Sequence, residues 1–188
     1  MKTIINTNVP EFSLPAFADG EFRTITRQDL LGHWSILFFY PADFTFVCPT
    51  ELLDMAQAYD KFKELNAEVY AVSTDTQFTH KAWHDSSDSI RQVKFPMLAD
   101  KTGYLSEALG VLNPVDYLAY RGTFVIDPSG MIKIAEVNDN GIGRNSDELL
   151  RKLEAAQFVA EHGDQVCPAR WTKGQSTLRP GIDLVGKI

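Results

Sequence analysis

The stretch WSILFFY, residues 34–40, constrains the fold more than any other part of the chain. It has strand length and almost nothing polar, so it suits the centre of a sheet covered on both faces, not a surface strand that alternates apolar and polar residues. The next segment narrows the choice further. After Pro49 the apolar residues Leu52, Leu53, Met55, Ala56, Tyr59, Phe62 and Leu65 recur at helical spacing, which predicts an amphipathic helix over residues 49–66. Pro49 suits the first turn, where its missing N–H has no helical partner to lose. A central strand feeding a long helix is the beginning of an α/β protein.

The remaining pattern fits that start. Short β-like pieces, among them residues 21–25, are separated by the turn pair Asp19-Gly20 and occupy the chain up to about residue 32. Residues 69–73 predict a strand, 79–86 a short helix and 95–98 another short strand. Residues 123–126 and 131–137 flank the turn Asp127-Pro-Ser-Gly130 and predict a hairpin. Ser146 opens a last helix to about residue 161, with Leu149, Leu150, Leu153, Ala156 and Phe158 inward and Glu148, Arg151 and Lys152 outward. The order β, α, β, α, β, β, α describes a small mixed sheet with helices on both faces. With no repeat and no Gly/Ser-rich linker, the expected organisation is one domain over residues 1–163 and an extended arm over residues 164–188.

At 188 residues, a chain buries roughly 70% of the surface its unfolded form exposes, enough for a core without disulfide or metal support. The longest apolar stretch, residues 36–40, is far short of the ~20 residues of a membrane helix, and the N-terminus carries no signal-like pattern. The expected location is therefore cytoplasmic. The net charge of −7, with the 18 Lys and Arg scattered, argues against a nucleic-acid binder, because phosphate contact depends on clustered Lys and Arg. In a reducing compartment the two cysteines, Cys48 and Cys167, are no permanent staple, and two thiols alone cannot complete a structural zinc site. If they pair, the pair cycles.

Cys48 stands between the strand and the long helix. A helix N-terminus favours an anion, so a thiolate is favoured there; the plain alternative is an inert buried cysteine, a common fate of a free thiol. Position alone does not make a fast catalyst. Lowering a thiol pKa from ~8.5 to ~6 raises the thiolate fraction at neutral pH roughly 30-fold but loses about 13-fold in intrinsic nucleophilicity, a net gain of about twofold. Other groups must stabilise the transition state. The candidates are the hydroxyl of Thr45, the guanidinium of Arg121 and, as a bidentate partner fixing that arginine, Glu51. The plain readings are that Thr45 is a turn or cap residue and Arg121 a solvated charge at a strand edge.

These residues have a wider match. Residues 41–48, PADFTFVC, fit the PxxxTxxC motif of peroxiredoxins, and FFYPADFTFVCPTEL with VSTDTQFTHKAWH at residues 72–84 resembles peroxiredoxins of the bacterial alkyl hydroperoxide reductase type. The resemblance runs through Gly141-Ile-Gly-Arg144 and Gln165-Val-Cys167-Pro-Ala169 to the final Leu184-Val-Gly-Lys-Ile188. It implies a thioredoxin-like α/β fold with an N-terminal β extension and a C-terminal arm. It also implies a peroxidase in which the Cys48 thiolate attacks the peroxide O–O bond, Pro41 shields the pocket, Thr45 donates to the peroxide, Arg121 activates sulfur and peroxide, Glu51 orients Arg121 and Arg144 supports both. Cys167 matches the resolving cysteine, which in this family comes from the partner subunit and closes an intersubunit disulfide after the helix around Cys48 unwinds locally.

The resemblance further implies hydrogen peroxide and small organic hydroperoxides as substrates, a flavoprotein disulfide reductase or thioredoxin as reductant, dimers assembled into a ring of five, and no metal or tightly bound cofactor. The peroxide-sensitive members carry a GGLG-type insert and a C-terminal Tyr-Phe. Here residues 91–97 read RQVKFPM and the tail ends Gly186-Lys-Ile188, which predicts relative resistance to overoxidation.

Other signals weigh less. His80 and His84 have the i, i+4 spacing of a helical zinc motif, but Lys81 stands where that motif has its general-base Glu and no third ligand is evident; the plain reading is a surface helix with Trp83 packed. Gly141-Ile-Gly143 is too short for a nucleotide fingerprint and reads as a turn. The rival functions are a thiol–disulfide oxidoreductase, weakened because Glu51 stands where a CxxC motif has its second cysteine, and a holdase chaperone or redox-signalling scaffold as an additional role.

Overall fold

A computed structural model describes residues 3–188. Its elements are β1 (Ser13–Ala18), β2 (Glu21–Thr26), β3 (Trp34–Phe39), α1 (Cys48–Glu64), β4 (Ala67–Ser73), α2 (Gln77–Ser86), β5 (Met97–Ala99), α3 (Tyr104–Ala108), β6 (Arg121–Ile126), β7 (Ile132–Asn138) and α4 (Ser146–Glu161). The strands form one seven-stranded sheet in the order β2-β1-β5-β4-β3-β6-β7. Burial follows position in that order: all six residues of β3 are buried, whereas β2 and β7 at the two edges alternate or lie open. The apolar run at residues 34–39 is thus an inner strand, paired parallel with β4 and antiparallel with β6.

Local chemistry explains the joints. Asp19 and Gly20 both adopt positive φ, 51° and 79°, the backbone that a two-residue hairpin turn needs between β1 and β2. This hairpin joins the sheet edge through antiparallel pairing of β1 with β5. On one sheet face Leu37 and Phe39 of β3 are buried with Tyr70, Val72, Leu98, Phe124 and Ile126, together with Leu105, Leu109 and Val111. The alternate residues Ile36 and Phe38 point to the opposite face.

Several boundaries differ from the sequence expectation, each for a physical reason. Helix α2 starts at Gln77, two residues earlier than expected, because the Thr76 side chain caps it by accepting from Thr79 N–H at 3.2 Å. Strand β5 starts after Pro96, whose carbonyl accepts from Ala71 N–H at 2.9 Å but which has no N–H to continue the ladder. The short α3 has no counterpart in the sequence expectation: the buried Asp100 carboxylate gathers the N–H groups of Leu105 and Ser106, a long-range cap invisible to periodicity.

Two compact units are distinguished, Met1–Ser146 and Asp147–Ile188. In the second, residues beyond α4 are not simply extended. Val166 and Leu178 exchange N–H···O bonds of 2.8 and 3.0 Å, and Trp171, only 2% exposed, has its ring 5.1 Å from that of Phe158 on α4. The arm folds back on its own helix. No helix among the described residues is long and apolar enough to cross a membrane.

Candidate functional site

The link from β3 to α1 carries most of the candidate residues. Tyr40 N–H bonds to Val72 O at 3.0 Å and extends the strand pairing by one residue. Pro41, the next residue, is buried. Thr45 lies half-buried in the loop with its hydroxyl donating to Ala42 O at 2.8 Å, and α1 then begins at Cys48 itself.

Cys48 is completely buried, yet its sulfur has a charged neighbour. Arg121 Nη1 donates to Cys48 Sγ at 3.4 Å and to Glu51 Oε2 at 2.6 Å, while its Nε and Nη2 both grip the Asn140 carbonyl at 2.9 and 2.8 Å. Every face of the guanidinium fork therefore has an assignment. Arg121 opens β6, is 3% exposed, and so is no solvated edge charge. Gly122 beside it is required by space: a Cβ there would lie 2.8 Å from Val111 Cγ1.

Glu51 sits in the first turn of α1 and is shared. Its bidentate partner is Arg144, whose Nε and Nη2 reach Oε1 and Oε2 at 2.8 and 3.0 Å, with Arg144 N–H on Oε1 at 2.8 Å. Arg121 donates a single bond to Glu51, not the fork the sequence suggested. Arg144 is fixed elsewhere too, donating from Nη1 to Gly122 O and Thr123 Oγ1 at 2.8 and 3.0 Å, with its guanidinium carbon 3.4 Å from the Phe38 ring centroid. Burial alone would raise the Glu51 carboxyl; the hydrogen bonds and charge of Arg144, then the charge of Arg121, outweigh it and hold the group below the usual carboxylate range.

Charge counting gives this arrangement its meaning. Two buried guanidiniums and one carboxylate leave one positive charge, and a thiolate at Cys48 neutralises the set. The start of α1 adds its positive end to the same sulfur.

Cys167 belongs to the second unit. It is half-buried, its thiol directed to Ala155 O at 3.9 Å. Burial pushes this thiol up, while the charge of Arg151 pulls the other way. Arg151 also donates to Trp171 O at 2.9 Å, and Trp171 Nε1 donates to Gln175 O at 3.1 Å.

Sequence reasoning missed three contributors to the first unit. Asn140 acts through its backbone carbonyl, which no residue type advertises. Phe38 read only as core. His80, expected on a surface helix, is fully buried: Nδ1 lies 2.8 Å from Asp43 Oδ2 and Nε2 3.2 Å from Leu98 O. The signal was available in part, since His80 and buried Trp83 share one helix face at i, i+3. His84 instead has its ring 5.2 Å from that of Phe17, and no cluster of three or more metal-ligating side chains occurs among the described residues. Gly141 lies in a turn closed by Ile142 N–H on Asp139 O at 2.9 Å, as expected.

Comparisons with known proteins identify the family to which the chain is similar. Residues 5–135 match the AhpC/TSA family, and residues 155–183 match the C-terminal domain of 1-Cys peroxiredoxin. The chain is 53% identical to alkyl hydroperoxide reductase C of Escherichia coli K12 over 186 residues, covering 99% of this chain and 100% of that protein. The crystal structure of Enterococcus faecalis AhpC superposes with a TM-score of 0.87 at 54% identity, covering 89% of this chain and 100% of that one. The reduced 2-Cys peroxiredoxin of Plasmodium vivax superposes with a TM-score of 0.92 at 34% identity, covering 97% and 96%. The seven-stranded sheet is therefore that of the thioredoxin-like fold these neighbours share.

Proposed function

The chain belongs to the AhpC/TSA family of peroxiredoxin peroxidases, and from that membership we propose a residue-by-residue course for its thiol-dependent reduction of peroxides. Cys48 is the attacking thiolate. Its sulfur forms an S–O bond to one peroxide oxygen, the O–O bond breaks, and the other oxygen leaves with a proton as water or an alcohol. The observation that carries this reading is Arg121 Nη1 between Cys48 Sγ and Glu51 Oε2, at 3.4 and 2.6 Å. A cation held there stabilises the thiolate first and the charge developing on the leaving oxygen second. Glu51 and Arg144 aim Arg121, Pro41 excludes water, and Thr45, on exchanging its bond to Ala42 O, donates to the peroxide.

Cys48 is left as a sulfenic acid. The Cys167 thiol of the partner subunit then attacks that sulfur, an S–S bond forms, and the hydroxyl leaves as water. A flavoprotein disulfide reductase or a thioredoxin returns two electrons and two protons. In this reading residues 1–163 are the peroxidase domain and residues 164–188 the arm that delivers Cys167, the working form is a dimer assembled into a decamer, and the setting is the cytoplasm. With RQVKFPM at residues 91–97 in place of the GGLG-type insert, Cys48 resists overoxidation; sulfinic acid on most of Cys48 at low peroxide with reductant present would contradict this. The oxidoreductase alternative is not favoured, because Glu51, in the position of the second cysteine of a CxxC motif, is held by two arginines.

Peroxide consumption coupled to a reductase tests the assignment. Cys48→Ser is expected to abolish turnover, and Cys167→Ser to allow one oxidation of Cys48 without disulfide dimers. Turnover by Cys48→Ser refutes the first role, and normal disulfide dimers from Cys167→Ser refute the second.

A further inference from the structure

Behind the Cys48 loop lies a buried polar cluster that the peroxide chemistry does not use. We propose that Asp43 and His80 form a proton-locked clamp, with His80 the positioning residue, that holds the loop bearing Pro41 and Thr45 in place for peroxide. The inference rests on Cys48 being the attacking residue.

The donors and acceptors can be counted. Tyr40 Oη donates to Asp43 Oδ1 at 2.7 Å; burial, then the charge of Asp43, raises this phenol far above its ordinary range, so it keeps its proton. On the other carboxylate oxygen, Oδ2 faces His80 Nδ1 at 2.8 Å, both side chains fully buried. His80 Nε2 faces the Leu98 carbonyl at 3.2 Å, and a carbonyl only accepts, so Nε2 carries a hydrogen. A second hydrogen must lie between Oδ2 and Nδ1, because two lone pairs would otherwise face each other at that distance. The pair therefore holds one proton more than a carboxylate beside a neutral imidazole. That proton is part of the loop's attachment.

The attachment joins three elements: the loop through Asp43, α2 through His80 and β5 through Leu98. The groups facing the pair are Tyr40 from the loop, whose Oη also lies 3.4 Å from His80 Nδ1, the Leu98 carbonyl from β5, Trp83 from α2, with its ring 6.2 Å from that of Tyr40, and Asp75 from the β4–α2 connection. Asp75 accepts from Asp43 N–H at 2.8 Å and from Ser73 Oγ at 3.0 Å. Asp43 lies between Pro41 and Thr45 in the chain, so a shift of its side chain displaces both flanking residues while leaving Arg121, Glu51 and Arg144 on their own anchors. The clamp acts on peroxide placement and not on the sulfur's charge.

The experiment separates those two effects. Cys48 oxidation by hydrogen peroxide is followed by stopped flow at neutral pH for wild type, His80→Ala, His80→Asn and Asp43→Asn, beside Cys48 alkylation by iodoacetamide and thermal melting. His80→Ala is expected to slow the peroxide step by roughly ten- to a hundredfold, the range for a small misplacement of reacting groups, with alkylation nearly unchanged. His80→Asn keeps an N–H for Asp43, and it is expected to recover most of the rate. Asp43→Asn is expected to slow the peroxide step selectively as well. A wild-type peroxide rate in His80→Ala, or equal slowing of peroxide and iodoacetamide reactions, overturns the clamp. Cys48→Ser in the same assay keeps the two claims apart: residual turnover there refutes the role of Cys48, whereas an inactive Cys48→Ser with an unaffected His80→Ala refutes the clamp alone.

Discussion

The two cysteines sit in opposite kinds of surroundings. Cys48 is fully buried at the start of a 17-residue helix, facing a guanidinium that is itself fixed to a carboxylate and a backbone carbonyl. Cys167 lies in an irregular segment, half-buried, held by the Val166–Leu178 bridge, Trp171 with its bond from Arg151, the Thr177–Gln165 hydrogen bond and the Arg179–Asp164 ion pair. The first environment stores order in advance, so that little reorganises when peroxide arrives. The second lies outside any helix or extended sheet ladder, its contacts being single side-chain bonds and one isolated bridge. In the proposed roles, the resolving thiol gains from weak attachment and the attacking thiol from strong attachment. Burial pushes the Cys167 thiol up in the folded arm, against the pull of Arg151.

The contrast can be broken most forcefully at Glu51. Glu51→Ala leaves two buried arginines short of their carboxylate and is expected to cost about 3–5 kcal/mol of stability, read by chemical denaturation; a loss within the range of a surface substitution would mean the site is not preorganised by charge. Next in size, Arg121→Ala is expected to slow Cys48 oxidation on the order of 10²–10³-fold. Arg121→Lys should recover only part of that, since one ammonium cannot replace a fork serving sulfur, carboxylate and carbonyl together. An unaffected peroxide rate would remove Arg121 from the mechanism.

On the other side, Trp171→Ala is expected to make Cys167 react severalfold faster with a disulfide reagent while leaving the peroxide step of Cys48 unchanged. Unaltered Cys167 reactivity would show that the arm is held by something other than its tryptophan. The smallest effect concerns acid. Because the Glu51 carboxyl is depressed in the folded chain, its contribution to stability is complete above the ordinary carboxylate value and is lost as pH falls through the lower folded value. Glu51→Gln, compared with wild type by denaturation at successive acid pH, should flatten that part of the profile; an identical acid slope in both proteins would contradict the assignment.

How much of the fold and site was legible in the sequence depended on the range of the forces involved. Trp34 to Phe39 announced an inner strand because six buried side chains leave a local pattern, and Cys48, Arg121 and Glu51 could be named from their chemistry. That the fork on Glu51 belongs to Arg144 could not, since which arginine wins depends on where β6 and the turn after β7 end in space. His80 was misread because its spacing to His84 matched a surface motif, while its true partners, Asp43 and Leu98, are far away in the chain. Cap residues separated the helix starts in the same way. Thr76 is a local cap that could have been read from its position, whereas Asp100 reaches forward across a turn to found α3.

Both arginines of the site hold backbone carbonyls that lie outside α1: Arg121 the carbonyl of Asn140, and Arg144 that of Gly122. In the proposed cycle the first turn of α1 unwinds to expose Cys48, and those grips, made outside the helix, are expected to persist. The vacated position keeps the shape and charge of a receptor, and the returning helix end docks into it as a ligand would. Re-arming the catalyst after each turnover is then a binding event within one chain, its affinity set by Glu51 and its specificity by the spacing of two guanidiniums.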